Sequence, residues 1–139
     1  MQITRQADYA IRAVLYVSKL GVNERAATRQ IAQEQNIPPS FLAKIISQLS
    51  IAGLLQTTRG AHGGIRLGKA AEAITLLDVV EAIDGPIRLN ECVSDENTCN
   101  FGRYCELRTI WCDAQHDLVK RLREANFSQF SRELEPHSR

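Results

Sequence analysis

Apolar residues change rhythm along this 139-residue chain, and each rhythm predicts a different element. Near the start, Ala7, Ala10, Ile11, Val14 and Leu15 recur at three- and four-residue intervals, which predicts a helix from about Arg5 to Leu20. Gly21-Val22-Asn23 ends it. A shorter helix is expected from Thr28, as N-cap, to Gln35, with Ile31 and Ala32 facing inward. "NIPPS" then makes a tight turn, because Pro38 and Pro39 cannot continue a helix but can start one. The third helix, Pro39 to Ala52, turns Leu42, Ile45, Ile46 and Leu49 to one face and Ser40, Ala43, Lys44 and Ser47 to the other. Gly53 is its C-terminal stop.

The rhythm then shortens. Leu54–Arg59 and Ile65–Leu67 read as two strands joined by "GAHGG", whose glycines permit a hairpin loop. Thr75-x-x-Asp78 has capping-box form and opens a helix through Val79, Val80 and Ile83, closed by Asp84-Gly85-Pro86. Loop is expected up to about Tyr104. A long helix follows to about Asn126, with Leu107, Trp111, Ala114, Leu118, Leu122 and Ala125 on one stripe. The tail "SRELEPHSR" reads as frayed.

Helix, helix, turn, helix, glycine-linked hairpin is the order of a winged helix-turn-helix. The expected fold is mainly α with a small β wing, followed by a long C-terminal dimerisation helix. Residues 1–84 would form the DNA-binding domain, 85–104 a cysteine-rich loop, 105–126 the dimerisation helix and 127–139 a flexible tail. The third helix would enter the major groove while the hairpin lies along backbone or minor groove. Thr28, Pro39, Ser40, Ala43, Lys44, Ser47, Arg59 and Gly60 are the residues expected at the DNA. Ser40 lies in the first helical turn, where backbone N–H groups and hydroxyl hold a phosphate. Lys44 would meet a phosphate or guanine, and Arg59 a phosphate or the minor groove. Arg66 and Lys69 read equally well as solvated wing charges. One such unit reads few base pairs, so a homodimer is expected, its half-sites about 34 Å apart or a multiple of that.

Charge supports this picture. The net charge of +1 conceals nine Lys/Arg against three Asp/Glu in residues 1–70, and eight against thirteen in residues 71–139. A basic half joined to an acidic half implies an anionic partner for the first alone. No apolar run is long enough to span a membrane, and the charged N-terminus is not a signal peptide. The expected location is the cytoplasm, where thiols stay reduced. No nucleotide loop, Ser/His/Asp grouping or paired carboxylate argues for an enzyme.

All four cysteines fall within 21 residues, spaced Cys92-x6-Cys99-x5-Cys105-x6-Cys112. Zinc ribbons use closer pairs, and no C-x-x-C redox motif occurs. Wider spacing on a loop suits a larger object, such as an iron–sulfur cluster. Cys105 and Cys112 would lie about 10.5 Å apart along a helix, awkward for one cluster unless the helix starts after Cys105. His116, four residues past Cys112, could pair with it on a second metal or be a solvated side chain. His62 and His137 read as wing-tip and tail residues.

Several stretches together carry a family resemblance: "MQITRQADYAIRAVLY", "PPSFLAKIISQLSIAGLL", "TRGAHGGIRLGKAA", "ITLLDVVEAIDG", and three cysteines before a long helix. The chain resembles the Rrf-two family of bacterial winged-helix regulators, whose members include IscR, NsrR and RirA, with the pattern nearest NsrR-like members. The resemblance implies a DNA-binding dimer whose cysteine loop holds an iron–sulfur cluster, 2Fe–2S or 4Fe–4S, sensing iron–sulfur supply, redox state or nitric oxide. It assigns Cys92, Cys99 and Cys105 as cluster ligands, with one residue more in the first gap than several members have. IscR-like members place a histidine where this chain has Arg108, which cannot coordinate. NsrR-like members use an aspartate from the other subunit, and Asp8 stands at that position. The resemblance thus points to Asp8 from the partner subunit as fourth ligand, with Cys112, water, His116 or no fourth protein ligand as alternatives. In IscR-like members the position of Ala43 often carries a glutamate that helps discriminate sites, so operator choice here would be broader or different. The competing reading is a zinc- or thiol-based redox-responsive regulator of the same fold.

Overall fold

The computed structural model describes residues 2–95, 97 and 100–130. Helix α1 spans Arg5–Ser18 and starts where Thr4 caps it, the Thr4 hydroxyl accepting from the Ala7 N–H at 3.1 Å. Its buried stripe is Ala7, Ala10, Ala13, Val14 and Val17. That stripe is rotated from the expected one, for Ile11 and Leu15 are only partly buried at its edge. The alanines explain the rotation. Their small side chains let α1 lie close against the neighbouring helices, and bulkier residues flank the contact.

Helix α2 spans Thr28–Glu34 and α3 spans Pro39–Ile51. Thr28 is the first helical residue and not the N-cap. Ala27 holds that place in an extended conformation, with no side-chain cap. The cause lies just upstream, where Ala26 exchanges two backbone hydrogen bonds with Ile65 at 3.0 and 2.8 Å and so fixes where the chain can turn into the helix. The apolar face of α3 is as expected: Leu42, Ile45, Ile46 and Leu49 are buried.

Strands β1 (Leu55–Thr58) and β2 (Gly64–Leu67) form an antiparallel pair that registers Leu55 with Leu67 and Thr57 with Ile65. Leu54 and Arg59 fall outside the first strand. The Leu54 N–H is committed to the Leu49 carbonyl at 2.9 Å, closing the end of α3, and Arg59 begins the loop. A 3-10 turn over Ala71–Ala73 leads to α4, Leu76–Asp84. The capping box forms in full: Asp78 N–H donates to the Thr75 hydroxyl, and Thr75 N–H donates to the Asp78 carboxylate.

A one-turn helix α5, Glu91–Ser94, interrupts the segment expected to be loop. Helix α6 then runs Glu106–Glu124. Its second half packs Leu118, Val119 and Leu122 against Leu77, Val80 and Ile87. The main core lies between α1, α3 and α4, with the hairpin closing one side.

The end of the chain needs a correction. Phe127, assigned to a flexible tail from sequence, is fully buried in the main core within a 3-10 turn over Phe127–Phe130. The backbone holds it there, with Leu76 N–H donating to the Ala125 carbonyl and Phe127 N–H to the Ile74 carbonyl. The rest of the expected tail, including His137, lies outside the described residues.

Candidate DNA-binding face and cysteine segment

Pro39, Ser40, Ala43, Lys44 and Ser47 are all exposed, on the side of α3 away from its buried face. Thr28 is exposed at the start of α2, and Arg59 and Gly60 are exposed on the wing loop. Lys44 and Arg59 have no ion-pair or hydrogen-bond partner among the described residues. A cation without an internal partner keeps its charge available for phosphate.

The wing is held in shape by contacts that lie partly outside it. A Cβ on Gly63 would come 2.2 Å from the Thr58 carbonyl oxygen, so only glycine lets the hairpin close. Gly64, at φ +152°, passes so near Arg25 and Ala26 that a Cβ would meet both within 3.0 Å. Arg25 completes the tie, its Nη1 donating to the His62 carbonyl at 3.0 Å. Arg66, one of the two wing charges, donates from Nε to Gln56 Oε1 at 2.7 Å across the strands. Nothing in the local sequence pattern marks Arg25. Its role rests on a hydrogen bond to a residue 37 positions away.

Cys92, Cys105 and Cys112 are half-buried free thiols, while Cys99 lies outside the described residues. Cys105 is the N-cap of α6, so the helix starts after it, the condition under which Cys112 could share a cluster with it. Cys92 sits in α5, and its carbonyl accepts from Arg108 Nε at 2.9 Å. Among the described residues, no three His, Cys, Asp or Glu side chains stand close enough to hold a metal ion. Thiolates are nonetheless the donors that iron–sulfur clusters and zinc require, so the residue types fit.

Asp8 lies in the first turn of α1, where its carboxylate pairs with Arg12 at 3.1 Å, about half exposed. The same end of α1 is tied to α4, since the Thr4 hydroxyl donates to Asp84 Oδ1 at 2.6 Å. His116 is exposed on α6, and His62 is exposed on the wing. No described helix is long and apolar enough to cross a membrane.

Comparison with known proteins agrees with this architecture. Residues 3–133 match the Rrf2 family, described as an iron-dependent transcriptional regulator. The HTH-type transcriptional regulator NsrR of Halalkalibacterium halodurans is 35% identical over 115 residues, covering 82% of this chain and 79% of that protein. CymR of B. subtilis, described as its global cysteine regulator, superimposes with a TM-score of 0.80 at 25% identity, over 94% of this chain and 96% of that one. IscR of T. potens has the same fold, with a TM-score of 0.74 at 17% identity over 92% and 84% of the two chains.

Proposed function

Because this chain belongs to the Rrf2 family of transcriptional regulators, we propose that it is a homodimeric DNA-binding regulator whose cysteine segment senses iron–sulfur status, redox state or nitric oxide. Its relatives are transcriptional regulators and not enzymes. DNA is its partner. The α3 stripe of Pro39, Ser40, Ala43, Lys44 and Ser47 reads the major groove, Thr28 approaches the adjoining backbone, and Arg59 with Gly60 lies along backbone or minor groove.

Cys92, Cys99 and Cys105 would hold an iron–sulfur cluster, with Asp8 of the partner subunit as fourth ligand and Cys112 as its competitor. Bound there, a cluster supplies a core that oxidants and nitric oxide attack, which is what a sensor needs. The observation that carries this reading is the placement of Cys105 at the N-cap of α6, with the Cys92 turn fastened to that same helix by Arg108. The dimer is supported by an apolar surface that one chain leaves open. Leu107 and Ile110 are each 58% exposed, Trp111 41% and Tyr104 85%. Helices with such a stripe bury it against a partner. Since α6 packs on α4 and α4 on α1 and α3, a change at the cysteine segment shifts the angle between two reading heads.

The test uses a duplex selected from random sequence by the cluster-loaded dimer. Its affinity should differ at least tenfold between cluster-loaded and cluster-free protein, a coupling in the ordinary allosteric range of about 1–3 kcal/mol. Equal affinities would sink the sensing mechanism while leaving DNA binding intact.

A second reading has support of its own. Cys112 lies on the same face of α6 as Arg108 and Gln115, whose side chains hydrogen-bond to the Cys92 segment. A zinc- or thiol-based regulator would use that face, and the B. subtilis relative is described as a cysteine regulator. Protein that carries zinc, or no metal, and whose DNA affinity follows thiol oxidation would establish it.

A further inference from the structure

Two side chains of α6 reach back to the backbone that carries the first cysteine. Gln115 Oε1 accepts from the Leu89 N–H at 3.0 Å, and Arg108 Nε donates to the Cys92 carbonyl at 2.9 Å. Seven residues separate Arg108 from Gln115, so both lie on one face, two turns apart. The two bonds run in opposite order along the two segments, so residues 89–92 lie antiparallel to α6. Cys112, four residues past Arg108 and three before Gln115, sits half-buried on that same face.

The bond to Cys92 answers a specific need. A single helical turn does not persist alone, because nucleation costs more than one turn returns. Within α5, the Asn90 carbonyl accepts from Val93 and the Glu91 carbonyl from Asp95. Among the described residues, the donor to the Cys92 carbonyl is the Arg108 guanidinium, which holds that turn against α6. Arg108 is also three residues from Cys105, whose carbonyl accepts from the Arg108 N–H at 3.2 Å. One residue therefore bonds to the backbone of both cysteines.

We propose that Arg108 is a positioning residue that fixes the Cys92 turn relative to Cys105 before any cofactor arrives, with Gln115 as the second tie. Its place is the one a metal ligand occupies in the IscR-like resemblance, and here it shapes the site without coordinating. This rests on the cluster reading above for its purpose, but its structural content does not.

The experiment therefore has two arms. Hydrogen exchange is followed on cluster-free, full-length protein over a peptide spanning residues 87–95. Arg108→Ala should speed exchange there roughly tenfold, the scale set by one charge-assisted hydrogen bond. Arg108→Gln places its amide nitrogen the same number of bonds from Cα as the arginine Nε, so it should restore most of the protection. Arg108→Lys keeps the charge but not that donor position, and should not. In the second arm, reconstituted protein releases iron to a chelator, and Arg108→Ala should release it several-fold faster with the same rescue by Gln. Arg108 lies outside the buried core, so all variants should fold. Unchanged exchange in Arg108→Ala would overturn the proposal, as would rescue by Lys and not by Gln. Faster exchange with unchanged iron release would overturn the link to the cofactor. A wild-type chain that takes up no iron would instead remove the cluster reading, and the exchange ratios alone would decide the tie.

Discussion

Phe127→Ala tests whether the end of α6 is anchored to the DNA-binding core. Phe127 is fully buried among residues of α1, α3 and α4 and meets Phe130 edge-on, with ring centroids 6.0 Å apart. Truncating a buried phenylalanine to alanine costs about 3–5 kcal/mol, from the transfer energy of the removed ring and the cavity left behind. The edge-to-face partner accounts for about 1 kcal/mol of that. A domain of this size has about 5–15 kcal/mol in all, so the variant should fold but be much less stable. At roughly 3–5 °C per kcal/mol, the unfolding midpoint should fall by about 10–20 °C. The assay is thermal unfolding by circular dichroism on cluster-free protein at one fixed concentration, since dimerisation makes the midpoint concentration-dependent. Phe127→Leu, which keeps most of the volume, should cost only about 1 kcal/mol. A midpoint within about 2 °C of wild type for Phe127→Ala would mean residue 127 is solvated, and the path from cysteine segment to reading head would rest on the packing of α6 against α4 alone.

Other consequences concern DNA. Lys44→Ala and Arg59→Ala should each lower the dependence of log affinity on log salt by about 0.9 for every phosphate the side chain neutralises, measured by fluorescence anisotropy titrations. Arg25→Ala should weaken binding several-fold with that slope unchanged, because Arg25 acts by holding the wing at His62 and not by touching phosphate. Gly63→Ala should nearly abolish wing-dependent affinity while α-helical content stays at wild-type level, since its Cβ would collide with the Thr58 carbonyl. Thr4→Ala removes both an N-cap and the bond to Asp84, and should cost about 1–2 kcal/mol in denaturant unfolding.

Much of this molecule is written in its local patterns. The apolar face of α3 and the Thr75–Asp78 capping box each follow from residues within one or two turns of themselves. What the sequence conceals is long-range. Phe127 reads as tail because its burial depends on Ile74 and Leu76, some fifty residues earlier, offering backbone partners. The cap of α2 falls on Ala27 for a similar reason, as Ala26 answers to Ile65. In α1, periodicity finds the helix but turns its face slightly, because alanine is too weak a hydrophobic signal to outvote Ile11 and Leu15. At the site, cysteine spacing draws attention to Cys92 and Cys105, yet Arg25, Arg108 and Gln115 carry no motif. Their roles come from single hydrogen bonds to distant carbonyls or N–H groups.

The central claim, an iron–sulfur cluster on Cys92, Cys99 and Cys105, is tested most directly by isolating the protein without oxygen and measuring iron, acid-labile sulfide and zinc per chain beside its visible spectrum. The expected result is a coloured protein with iron and sulfide in matching amounts, and no colour in variants with any of these three cysteines replaced by alanine. A colourless protein that holds zinc, or no metal at all, would contradict it and leave a DNA-binding regulator that works through its thiols.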